Sequence, residues 1–136
     1  MKRKIICVYQ LLIGLSDGVT GLLLILAPAF TLRLMHLEAP AVALPYLSFI
    51  GAFVLSVGLA CLYGGFLATR ANVVAKLEVV WLLTGITRGI VAVFIASQIV
   101  SGALETGWTT VAVSDGAFAV MQGIGLFKRW LPDACA

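Results

Sequence analysis

Four long apolar stretches, each about the thickness of a bilayer's hydrocarbon core, leave this sequence few folds to adopt. In lipid a backbone finds no water to bond, so each stretch must satisfy its own N–H and C=O groups as a helix of about 20 residues. The stretches run from Ile5 to Ala27, Pro45 to Leu67, Leu77 to Gln98 and Trp108 to Phe127. Pro28 stops the first, and Pro45 sits at the start of the second, where a missing N–H does no harm. Composition agrees: 62% of residues are hydrophobic and only 11% charged, whereas a soluble domain is nearer half and a quarter. The expectation is an all-α membrane protein, residues 1–136 forming one four-transmembrane-helix bundle in a bacterial-type inner membrane.

Basic residues set the orientation. Lys2, Arg3 and Lys4 precede the first span, Arg70 and Lys76 lie between the second and third, and Lys128 and Arg129 follow the fourth. Seven of nine basic residues thus share one side, against Arg33 on the other and Arg88 inside a span. By the positive-inside rule both termini are cytoplasmic. Trp108 and Trp130 bracket the fourth span as interfacial anchors. Ala27-Pro28-Ala29 after a basic start resembles a cleavable signal, but Asp17 in the apolar run and the run's length argue against cleavage. The outer segment Phe30 to Leu37 mixes apolar and polar residues, as a short interfacial helix or a packed loop does.

Small residues mark packing faces, because helices in lipid associate by close approach. Ser48, Ala52, Ser56, Ala60 and Gly64 recur every fourth residue in the second span. Gly14, Gly18 and Gly21 mark the first span, and Ala112, Gly116, Ala119 and Gly123 the fourth.

Three charges lie where charges are costly. Asp17, Arg88 and Asp115 each fall mid-span, at about 2.5–3.5 kcal/mol apiece on insertion scales, so partners are expected. Counting about 1.5 Å per residue from the inner end of each span puts Asp17, Arg88 and Asp115 at about 18, 16 and 18 Å. Three helices therefore deliver opposite charges to one level. Gln10 and Gln122 each lie two turns from their Asp, on its face and toward the cytoplasm. Thr84 is one turn from Arg88, and Glu78 sits near the inner end of the third span. Together these residues predict a buried polar seam. Both aspartates also sit in a Ser-Asp-Gly tripeptide, on antiparallel helices. Two readings of the seam compete. Arg88 can simply clamp the first and fourth helices, or the surplus carboxylate can carry a proton or meet a cationic group.

Other chemistries lack their residues. His36 is the single histidine, which leaves no multi-histidine metal site or bis-histidine haem in one chain, and no cofactor is expected. No phosphate-binding glycine loop and no Ser or Cys nucleophile with a histidine base is present. Cys7, Cys61 and Cys135 are odd in number and widely spaced, which argues against a disulfide framework. A net charge of +3 in clusters beside apolar runs is a topology signal, not a nucleic-acid footprint. Tyr9, Tyr46 and Tyr63 serve as core or interface anchors.

Several stretches resemble the DoxX-like small membrane proteins and their DUF4345-type relatives. The likeness is carried by Leu12-Ile13-Gly14-Leu15 leading to Leu26-Ala27-Pro28, and by Leu32-Arg33-Leu34-Met35-His36-Leu37. Ile50-Gly51-Ala52-Phe53 and Ser56-Val57-Gly58-Leu59-Ala60 extend it, as do Arg88 and Asp115. The resemblance implies a four-helix bundle and an accessory role beside membrane thiol, sulfur or quinone redox systems. No catalytic motif of such proteins maps onto this chain. The leading expectation is therefore a non-catalytic, partner-binding membrane subunit, its partners the lipid bilayer and another membrane subunit or a second copy. The alternatives are a small carrier or proton-linked permease using Asp17, Arg88 and Asp115, and an oxidoreductase subunit with a quinone-like ligand in the seam.

Reporter fusions test the orientation. Fusions after Arg70 and at the C-terminus should read cytoplasmic and one at Glu38 should read outside; a cytoplasmic signal at Glu38 overturns the four-span arrangement.

Overall fold

A computed structural model describes residues 2–70 and 73–135, and the side chains of residues 3–70 and 73–132. Four long helices carry the fold: α1 (Lys2–Leu26), α3 (Leu44–Ala68), α4 (Val74–Val100) and α5 (Thr109–Phe127). All four are long and apolar enough to cross a membrane. Two short helices complete the chain, α2 (Pro28–Leu34) after α1 and α6 (Trp130–Cys135) after α5. The third span is longer than its apolar stretch predicts, because α4 continues three residues before Leu77 and two beyond Gln98. Single 3₁₀ turns at Ala41–Ala43 and Thr106–Trp108 lead into α3 and α5. The proximal end of the bundle is where α1 begins and α5 finishes; α2 and both 3₁₀ turns lie at the distal end.

The Phe30–Leu37 segment is helical in its first half. Pro28 opens α2, and the helix closes by the hydrogen-bond pattern that usually needs a left-handed glycine. The Leu37 N–H donates to the Leu32 carbonyl at 2.9 Å and the His36 N–H to Arg33 at 3.1 Å. His36 takes the left-handed position, at φ 55°. The leucines on either side of it, Leu32 and Leu37, are each 3% exposed and pack with Leu47. Arg129, also at φ 55°, turns the chain from α5 into α6. That turn places Leu131, fully buried, beneath the bundle beside Ile6, Leu67, Leu77 and Trp81.

The long helices associate as two pairs. Within α1/α3 the backbones run close along most of their length, and α4/α5 form a second, looser pair. Between the pairs, α3 and α4 approach one another, while α1 comes near neither α4 nor α5 at the backbone level. The cause is glycine placement. A Cβ on Gly58 would fall 2.5 Å from the Gly18 nitrogen, and one on Gly21 would fall 2.5 Å from the Leu55 nitrogen. Backbone cannot yield as a side chain does. In α4/α5 the equivalent approaches are ordinary contacts, 3.6 Å from Gly116 to Ala92 and 3.8 Å from Gly89 to Ala119.

The α3 packing face differs from the one its four-residue stripe predicts. Ala52 and Ser56 are exposed, and of the stripe only Gly64 is buried. Gly51, Gly58 and Gly65, seven apart, form the buried line instead, on a different face of the helix. Ser, Ala and Gly are all small, but only a residue without Cβ permits contact between backbones, and it is the glycines that face α1. In α5 the expected stripe does meet α4 at Gly116 and Ala119, while Gly123 is exposed with open space beside it.

Gly58→Ala should therefore lower thermal stability in detergent by about 1–3 kcal/mol, an overpacking cost. Gly18→Ala should be neutral or slightly stabilising, since its Cβ meets nothing within 4 Å. Ser56→Leu should also be tolerated. Equal losses at Gly58 and Ser56 would contradict the glycine face.

Candidate functional site

α4 shows how the sequence builds the site. Its buried residues Leu77, Trp81, Thr84, Arg88, Ala92 and Ile95 recur every three or four positions, so one face of the helix looks inward. Arg88 is the only charge on that face. Its side chain is 4% exposed, and the guanidinium reaches α1 of the other pair and α5 of its own at once. Nη1 donates to Asp115 Oδ1 at 2.5 Å, and Nη2 donates to Asp17 Oδ2. The Phe118 ring lies 5.2 Å from the guanidinium carbon and covers one face of it. The three charges predicted to share a level thus meet in one cluster, with a formal charge of −1.

The two carboxylates differ from the arginine in exposure. Asp17 and Asp115 remain 20% and 19% exposed, against 4% for Arg88. Each spends one oxygen on Arg88 and keeps the other free of it. Their exposed sides face a cavity of about 600 Å³ in the distal half of the bundle. Its floor is Asp17, Arg88 and Asp115, and its walls are mainly apolar, from Leu24, Leu47, Val57, Val91 and Ile95. Hydroxyls of Ser16, Thr20, Thr87 and Ser114 lie near the floor. Trp108 and Met35 line the distal rim. The paired Ser-Asp-Gly tripeptides find a common geometry here: each serine lines the cavity and each aspartate binds Arg88.

The proximal half is filled. Gln10 and Gln122 are fully buried and Thr84 is 4% exposed, so three of the predicted polar residues do lie inside the bundle. Gln122 Nε2 donates to Thr84 Oγ1 at 2.9 Å, and Thr84 in turn donates to the Val80 carbonyl at 2.7 Å. Gln10 joins neither; its amide lies against Gly64 and both its polar atoms lack a protein partner among the described residues. Gln122 Oε1, Trp81 Nε1, Tyr9 Oη and Arg88 Nε are likewise buried without one. Each such group costs about 1–3 kcal/mol. Glu78 does not belong to this layer. It neighbours the inward Leu77 but is turned about 100° from it, is only partly buried, and makes no hydrogen bond or ion pair among the described residues.

Tyr9 packs on Trp81 with ring centroids 5.4 Å apart and on Phe118 at 6.3 Å, forming an aromatic layer directly beneath the cluster. Of the two roles expected for Tyr9, core packing and interface anchoring, this is core packing; Trp81 is not among the residues expected at the seam. The signal was available, since Trp81 precedes Arg88 by two helical turns and so shares its face. Tyr46 and Tyr63 are exposed, as anchors are. Cys7 and Cys61 are free thiols; Cys7 reaches the Gly65 carbonyl at 3.7 Å and Cys61 is fully buried. Cys135 lies outside the residues whose side chains are described. No group of three or more His, Cys, Asp or Glu among the described residues is placed to hold a metal ion.

Arg88→Leu should be the most damaging change at this site, by about 3–5 kcal/mol, because it strands two carboxylates. Asp17→Asn and Asp115→Asn should each be milder, since the other aspartate still neutralises Arg88. The double Asn variant should lose more stability than the two singles summed. Thermal unfolding in detergent across these variants reads the coupling, and strict additivity would show that the three charges act separately.

No protein-family model, no curated protein and no solved structure matches this chain, so its function has to be argued from the site itself.

Proposed function

We propose that this chain is a multi-pass membrane protein, both termini cytoplasmic, that binds a small amphiphile with a cationic or hydrogen-bond-donating head. The observation that carries this reading is the cavity that reaches Asp17 and Asp115. A cluster that served only to clamp helices has no use for a chamber above it, and a dry, packed interior would serve a purely accessory subunit better. A volume of about 600 Å³ also lies within the range of small-molecule sites, ~300–1,000 Å³.

The chemistry of the floor selects the head group. Arg88 is buried behind the aspartates, so a ligand meets carboxylate oxygens first and a cluster charge of −1. Carboxylates accept hydrogen bonds and attract cations; a carboxylate or phosphate ligand would be repelled. The apolar walls suit an alkyl or aryl body. Of the redox ligands that the likeness to DoxX-like proteins brings to mind, a quinol, with its two O–H donors, fits these acceptors better than a quinone. The basic ends of the helices support a cytoplasmic placement of the proximal end by the positive-inside rule, which makes the cavity outward-facing.

Thermal shift in lipid nanodiscs with octylammonium, octanol and octanoate tests the reading. Octylammonium should raise the melting temperature in a saturable way, by up to about 2.7 kcal/mol of stabilisation at a hundredfold excess over its Kd. Octanol should bind at least roughly tenfold more weakly and octanoate not at all. Equal shifts from all three, or a shift that survives Asp17→Asn and Asp115→Asn together, would overturn it.

A further inference from the structure

The cavity occupies only the distal half of the bundle, and the proximal half is sealed by Ile6, Leu67, Leu77 and Leu131, all less than a tenth exposed. Behind that seal lies a layer ill suited to permanent closure. Among the described residues, Gln10 with both polar atoms, Trp81 Nε1, Gln122 Oε1 and Tyr9 Oη have no protein partner there. These groups include donors and acceptors alike, the mixture that water satisfies and that neither an anion nor a cation does. An interface closed for good is better lined by apolar side chains. The layer also falls between α1 on one side and α4 and α5 on the other, where the backbones barely approach. The α1/α3 and α4/α5 pairs are each held internally by close helix contact. The ion-pair cluster, which spans both pairs, stands at the boundary between the open half and the sealed half.

We infer that the chain is a carrier: α1/α3 rocks against α4/α5 about the Asp17–Arg88–Asp115 cluster, closing the distal cavity and opening a proximal one lined by Gln10, Trp81 and Gln122. In the proximally open state these side chains meet water, and a cationic amphiphile held at the aspartates faces the other side of the membrane. Rocking of two packed bundles around a central site is a general solution to alternating access. Leu131 on α6 is the proximal gate, because α6 touches α1, α4 and α5 together. This inference rests on the binding reading above.

Site-directed labelling tests it. In a background carrying Cys7→Ser, Cys61→Ala and Cys135→Ser, Gln10→Cys should react with a membrane-impermeant maleimide applied from the side of the termini. Adding Ile6→Cys and Leu131→Cys and oxidising them should lock the gate. Labelling at position 10 should then slow on the order of tenfold and recover on reduction. Leu131→Ser, which weakens the gate without a crosslink, should accelerate labelling. Position 10 unreactive until the protein is denatured, or equally reactive with the gate locked, overturns the carrier. The octylammonium shift, measured on the unlocked Gln10→Cys protein, separates the two ideas. A shift that persists while labelling fails leaves a binding protein with one fixed face, and loss of the shift itself removes both.

Discussion

Arg88 sits between Asp17 and Asp115, and through them it joins two helix pairs that otherwise share little backbone contact. Its helix supplies only one face to the interior, and on that face the guanidinium is the only charge. A charge so placed cannot be left alone in an apolar medium. Its position dictates that α1 and α5 bring their carboxylates to the same depth, although neither helix packs closely on the other. The two pairs are therefore joined by this ion-pair cluster together with the α3–α4 approach and the apolar layer at the proximal end. Between these contacts the helices leave a partly open cavity of about 600 Å³.

The glycines of α1 and α3 account for the other half of this arrangement. Backbones brought together at Gly58 and Gly21 leave no room for water or lipid, and they spend the small residues of both helices on each other. Little of that close-packing surface remains to draw α1 toward α5. The gap is bridged at the cluster by long side chains, below it by the tilted and edge-on rings of Tyr9, Trp81 and Phe118, and at the proximal end by α6. Above the cluster the two sides meet again at the distal rim, where Trp108 packs with Leu32, Leu37 and Leu47, and the cavity lies between these contacts.

Exposure within the cluster gives the site its chemical sign. A carboxylate–guanidinium pair presented arginine-first would attract anions; here the arginine lies behind, roofed by Phe118, and the carboxylates lie in front. The same three residues in a different order of burial would make a different protein. This order also bears on the orphaned polar layer beneath. Gln10 and Gln122 are fully buried there, and among the described residues Gln10 and the Gln122 Oε1 have no protein partner.

Much of this was legible in the sequence. Helix number and approximate ends follow from the hydrophobic thickness of a bilayer, because every backbone group in lipid must be bonded within its own helix. The meeting of Asp17, Arg88 and Asp115 was legible too, since residue counts fix depth along a helix and unlike charges at one depth seek each other. Rotation about the helix axis was not. The four-residue stripe from Ser48 to Gly64 and the seven-residue line from Gly51 to Gly65 lie on different faces of α3, and hydropathy does not distinguish a face in lipid from a face in protein. Nor did spacing separate Glu78, left at the flank of α4, from Thr84, drawn inside. The cavity lies further still from the sequence. It exists because one pair of helices packs closely and its partner pair does not join it, a difference of a few ångströms between backbones that only the tertiary structure decides.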